Sequence, residues 1–269
     1  MKIKNFFIFT IQLGRKTLDD DLFALSNELA YKILLSIFPF IVFLVSLLGF
    51  LNLQEHEILT TFEMLPPDIS QVLIEFVEEL QERPSRSILS ISLLVALYSA
   101  SNGFRAVIRG VNKAHDYKDN RSFIKKTAIC AVLMLIFTFS ILVMLVLWVF
   151  SSQILMFLTS FLQVPTNLVI RISSVAISLI VMVICTTWIY RLACVSKGRF
   201  WPGACVTVVL WAISSELFAI FIGNFSNISV IYGSIAGVFI LVVWINLISF
   251  FLLLGNTVNA LLNSADYTQ

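Results

Sequence analysis

Charge is what this 269-residue chain has least of: aspartate, glutamate, lysine and arginine together make up 13% of it. A soluble domain carries about 25%. Histidine is nearly absent, with only His56 and His115, and no set of metal ligands can be assembled from two such scattered positions. Four cysteines occur, Cys130, Cys185, Cys194 and Cys205, in or beside apolar segments and with no CxxC spacing. They read as small core hydrophobes, not as a disulfide or zinc framework. No ATP-binding motif, low-complexity linker or appended soluble domain is visible. These absences exclude a soluble enzyme, a secreted disulfide scaffold and a disordered chain. What is present in excess is apolar surface: 59% hydrophobic residues and 24 phenylalanines, with a mean hydropathy of +0.95. The chain reads as an integral membrane protein.

A membrane helix needs about 20 predominantly apolar residues. Six segments qualify: Leu29–Leu53, Ile88–Ile108, Thr127–Phe150, Leu168–Tyr190, Phe200–Gly223 and Ile231–Leu254. The expected fold is therefore all-α, a polytopic membrane helix bundle forming one domain over residues 1–269. The short apolar start, Asn5–Leu13, is too short to span and lacks a cleavage site. Flanked by Lys2, Lys4, Arg15 and Lys16, residues 1–21 are expected to form a cytoplasmic, interfacial segment.

The near-neutral net charge of +2 conceals a strong asymmetry. Basic residues crowd the N-terminus, the second loop (109–126) and the fourth loop, where Arg191, Lys197 and Arg199 lie. By the positive-inside rule these ends are cytoplasmic, and an even number of spans puts the C-terminus there too. Eight of the sixteen acids fall in the first loop (54–87), which is then external. Within that loop Ile69, Val72, Leu73, Phe76, Val77 and Leu80 repeat at helical spacing, after a Pro66-Pro67-Asp68 start. This predicts an external amphipathic helix, read either as a lid over a cavity or as a surface helix packed on the bundle.

Ionisable groups inside a membrane are costly, so each is a functional candidate. Glu216 follows Ser214 and Ser215 in the fifth span, and Arg171 enters the fourth from the same external side. They are expected to face the bundle interior as a paired polar site; a structural pair, or a protonated Glu216 bonded to a serine, is the competing reading. Asn246 and Ser249 add an amide and a hydroxyl one turn apart in the sixth span, suited to interhelical bonding or to lining a path. Gly233 and Gly237 permit close helix approach, and Pro39 should kink the first span. On the cytoplasmic side Arg105, Arg109 and Lys113 form a basic stripe at i, i+4 and i+8, readable as a lipid-phosphate site or as a topology signal alone. The Asp19-Asp20-Asp21 triplet suits the positive end of the first long helix. Together with His115, Asp116 and Asp119 it offers only a scattered set for metal-dependent phosphodiester cleavage.

Four stretches resemble the bacterial YihY/BrkB family of membrane proteins. They are ELAYKILLSIFPFIVFLVSLLGF (28–50), LYSASNGFRAVIRGVNKAHDYKDNRSFIKK (97–126), WPGACVTVVLW (201–211) and the C-terminal span with Tyr-Gly-Ser before it and Gly-x-x-x-Asn at its end (224–262). The resemblance covers nearly the whole chain and implies the helix bundle. Three positions depart from the family pattern. Lys32 stands where an aromatic is usual, Ile228 where tyrosine is frequent, and Thr257 where relatives commonly carry glutamate. The family's old ribonuclease label is generally regarded as a misassignment, and no reaction is agreed for it.

The expected function is transport or export of a lipid-like or amphipathic envelope component across the bacterial inner membrane. A non-catalytic scaffold for envelope assembly is the alternative and a ribonuclease a remote one. No cofactor and no nucleic-acid partner are expected. The partners would be membrane lipids and, for a scaffold, other envelope proteins.

Overall fold

The computed structural model describes residues 2–50, 86–149, 166–224 and 226–266. Among these there are helices and no strands. The seven are α1 (Lys2–Asp19), α2 (Leu22–Phe50), α3 (Arg86–Ala114), α4 (Phe123–Val149), α5 (Thr166–Ala193), α6 (Trp201–Asn224) and α7 (Ser226–Asp266). The six long helices coincide with the six apolar segments of the sequence. Of the described residues, three runs are long and apolar enough to cross a membrane: Ala176–Ala193, Trp201–Phe221 and Phe239–Ser264. The expected external helix of the first loop lies outside the described residues. α2 stays helical on both sides of Pro39.

Two helix ends are set by aspartates in the left-handed region, which Asp tolerates better than most residues. At the end of α3, Asp116 has φ 56°. The Tyr117 amide there reaches back to the Asn112 carbonyl at 3.0 Å and the Asp116 amide to Lys113 at 2.9 Å, the double bond of a Schellman cap. Between α1 and α2, Asp21 has φ 51°. Its amide bonds back to Leu18, and its carbonyl accepts the first bond of α2, from Leu25. The aspartate triplet thus both closes α1 and opens α2.

The chain divides into two compact units. Unit 1 comprises residues 1–25, 107–215 and 250–269. Unit 2 comprises residues 26–106 and 216–249. In unit 1, α6 and α7 touch backbone to backbone. A Cβ on Gly203 would collide with the Gly255 carbonyl oxygen, and one on Gly255 with Thr207 Oγ1. Only hydrogen fits at either position. In unit 2, Phe218 of α6 stacks on Trp244 of α7 with centroids 4.5 Å apart. Much of the apolar surface faces outward, as at Leu94 (66%), Leu217 (63%) and Phe239 (68%). Water would penalise such exposure; lipid does not.

Candidate functional site

The polar side chains buried among these apolar helices fall into two kinds. Most of those described in unit 1 are engaged with backbone, while His115 Nε2 and Asn256 Oδ1 are buried there without a hydrogen-bond partner among the described residues. Asn259, fully buried, accepts from the Gly203 amide at 2.7 Å and donates to the Phe200 carbonyl at 3.0 Å. One turn on, Asn263 repeats this with the Arg199 amide (3.0 Å) and carbonyl (3.3 Å). Asn112 donates to the Ile108 and Ala193 carbonyls and accepts from the Val195 amide. Asn256 donates to the Val111 carbonyl at 3.0 Å. The Tyr190 hydroxyl donates to the Leu252 carbonyl (2.6 Å) and meets Thr207 Oγ1 at 2.7 Å. An amide has both donor and acceptor, so one asparagine satisfies both orphaned groups of a chain turn. Together these bonds fasten the end of α3, the end of α5, the 194–200 connection, the start of α6 and the end of α7.

Charge reinforces the same unit. Arg121 Nε bonds Asp119 at 2.9 Å, and its terminal nitrogens donate to the Leu192 and Ala193 carbonyls. Burial would push the Asp119 carboxyl up. The Arg121 guanidinium and amide, with Lys126, outweigh it and hold the carboxyl below its ordinary value. α1 and α3 exchange lysines between their caps: Lys16 reaches Asp116 at 3.0 Å and Lys113 reaches Asp21 at 3.8 Å. Lys16 also pairs with the buried Asp20 at 3.5 Å. Burial raises the Asp20 carboxyl and lowers the His115 imidazole, which lies edge-on to Phe200. The residues weighed for phosphodiester cleavage are therefore spread over caps and ion pairs. Among the described residues no group of three or more His, Cys, Asp or Glu stands ready to hold a metal.

Unit 2 is the other kind. Asn246, inside the apolar run Phe239–Ser264, donates to the Asn27 side-chain carbonyl across two helices. Beside Asn27, Glu28 and Lys32 form an ion pair one turn apart on α2. The lysine side chain is 23% exposed and the glutamate 39%. Ser249 is buried and bonds its own helix at Ile245. Glu216 is exposed on α6; Arg171 lies in α5 with its side chain outside the described residues, as is the pairing expected of the two. Of the basic stripe, Arg105 is half-buried in unit 2, while Arg109 and Lys113 are exposed in unit 1. Gly237 has no described atom within 4 Å of a Cβ added there. The surroundings of Gly233 lie outside the described residues; a close helix approach is seen at Gly203 and Gly255.

Sequence reasoning missed the asparagine braces, the Asn27–Asn246 bridge and the Glu28–Lys32 pair. A usable signal existed for α7. Asn246, Ser249, Asn256, Asn259 and Asn263 follow spacings of 3, 7, 3 and 4, which lie along one helical face.

The outward apolar helices and inward polar bonds define an integral membrane protein of the helical, polytopic class. The family model for virulence factor BrkB matches residues 13–269. The chain belongs to that family. It is also similar to the ribonuclease-like protein YfkH of Bacillus subtilis strain 168, at 35% identity over 246 residues, covering 88% of this chain and 89% of the relative. No solved structure matches it.

Proposed function

We propose that the protein transports or exports a lipid-like or amphipathic component of the bacterial envelope. It would sit in the inner membrane with six spans and both termini cytoplasmic. The observation that supports this is the side-chain bridge of unit 2 between Asn27 and Asn246, which stays partly open between apolar helices. A side-chain bridge that stays partly open leaves amide donors and acceptors that water or a polar ligand can use. With no ATP-binding motif, active transport would draw on an ion gradient or a partner ATPase.

The test compares envelope lipid and metabolite profiles of a deletion strain carrying wild-type, Asn246→Ala or Glu216→Gln protein at equal accumulation. A transporter predicts that Asn246→Ala reproduces the deletion profile for one envelope component. Wild-type profiles in both variants would refute the assignment. The braced unit 1 favours a second reading, a rigid scaffold for envelope assembly. A scaffold predicts that both substitutions are silent, while loss of unit 1 packing releases its protein partners.

A further inference from the structure

The outer face of α5 carries a pattern that the packing of unit 1 leaves unused. Ile177, Ile180, Ile184 and Trp188 are exposed, and Arg191 follows them, also exposed. Their spacings of 3, 4, 4 and 3 put all five on one line along the helix. Between Ile177 and Ala193 no other residue of α5 is exposed. The line belongs to the run Ala176–Ala193, which is long and apolar enough to cross a membrane. From Ile177 to Arg191 it climbs about 21 Å at 1.5 Å per residue. Half of a bilayer about 40–45 Å thick, headgroups included, measures nearly the same.

Arg191, in the last turn of α5, is not needed to close that helix. The carbonyls that a basic side chain would cap are already taken. Leu192 accepts from Arg121, Ala193 accepts from Arg121 and Asn112, and Tyr190 accepts from the Cys194 amide. Among the described residues the one contact of the Arg191 guanidinium is the Trp188 ring, whose centroid lies 5.9 Å from its carbon. That distance is within cation–π range. A guanidinium held over a ring by its face keeps its fork of N–H donors for a second partner.

We infer that this face seats one anionic phospholipid of the leaflet at the Arg191 end. Its phosphate takes the Arg191 guanidinium, and an acyl chain lies along Ile184, Ile180 and Ile177. Charge decides the occupant. A second copy of the same face would bring two guanidiniums together, and an apolar helix would cover the isoleucines while leaving the cation unpaired. A phosphodiester accepts the guanidinium at two oxygens, and a lipid joins that phosphate to a chain of the length of the line. A topology signal needs the charge, but neither the ring under it nor the apolar line leading to it. The seat is on the outer surface of the helix and does not rest on the transport reading.

The test uses full-length protein with Trp148, Trp201, Trp211 and Trp244 replaced by phenylalanine, so that Trp188 alone reports, in phosphatidylcholine vesicles. Dibrominated phosphatidylglycerol and dibrominated phosphatidylcholine are titrated against its fluorescence. The phosphatidylglycerol should bind about fivefold more tightly at Trp188. Arg191→Gln should erase that difference, whereas Ile184→Asn should weaken both lipids and keep it. A protein retaining only Trp244 should show no preference. Equal affinities in the parent, or a preference that survives Arg191→Gln, overturns the seat. An equal preference at Trp244 overturns it too, because the net charge of the protein then suffices. A second measurement needs no tryptophan replacements. In maltoside micelles, phosphatidylglycerol should raise the melting temperature of the native chain more than phosphatidylcholine does, since a ligand of the folded state stabilises it. Arg191→Gln and Trp188→Leu should each remove the extra rise. An extra rise unchanged in both variants overturns the seat.

Discussion

Unit 1 and unit 2 use the same polar vocabulary to different ends. In unit 1, Asn112, Asn259 and Asn263 each bond backbone far away in sequence, and the side chains are buried as those bonds close. In unit 2, Asn27 and Asn246 bond each other and sit beside an ion pair that remains partly open. A polar group whose donors and acceptors are all used by the chain has little left to offer a ligand. The difference teaches where to look for function in a membrane bundle: at side-chain bridges that stay partly open, more than at side chains spent on backbone.

The sharpest way to break the contrast is to wedge α6 from α7. Gly203→Val places a branched side chain against the Gly255 backbone, which has no rotamer to yield. Overpacking of this kind costs about 1–3 kcal/mol or more; accumulation in the membrane and thermal stability in detergent should both collapse. Asn259→Ala comes next. It strands the Gly203 amide and Phe200 carbonyl, and an unsatisfied buried group costs about 1–3 kcal/mol. Its melting temperature should fall well below that of Asn246→Ala, whose polar bond is worth about 0.6 kcal/mol on average in a membrane. Equal losses in these two variants would erase the distinction between the units.

The smallest effect is one of pH. Burial lowers the His115 imidazole below its ordinary 6.5, against a raising contribution from Asn256, with Lys16 and Asp116 the charged groups around it. The fold therefore favours the neutral ring. Stability is full above pH 6.5 and declines as pH falls through 6.5 toward the lowered value. Thermal melts between pH 8 and 5.5 should show this slope, and His115→Gln should flatten it. Asp20, raised by burial, contributes the opposite slope at lower pH, gaining stability as it protonates.

The all-α architecture was legible in the sequence: helices α2 to α7 overlap the six apolar segments, and the described parts of α5, α6 and α7 are long and apolar enough to cross a membrane. The division of labour between units was not. Asn259 finds its partners 56 and 59 residues away, and no local pattern reveals which backbone it will meet. The Pro-Gly-Ala and Gly-x-x-x-Asn motifs were each visible, but that Gly203 meets both Gly255 and Asn259 is a fact of tertiary packing. Glu28 and Lys32 had a readable i,i+4 spacing, yet they sit at the edge of the predicted first span, where charges are ordinary. Glu216 drew notice as the charge deepest in an apolar run; its exposure on α6 is decided by helix rotation, which a span of near-uniform hydrophobicity leaves unspecified.

The most direct measurement is transbilayer movement of a fluorescent anionic lipid in proteoliposomes holding equal amounts of folded wild-type, Asn246→Ala or Asn259→Ala protein. If function resides in unit 2, wild-type and folded Asn259→Ala protein move lipid at similar rates while Asn246→Ala protein is slowed by about tenfold. Equal rates for wild-type and Asn246→Ala, with loss confined to Asn259→Ala, would contradict that account.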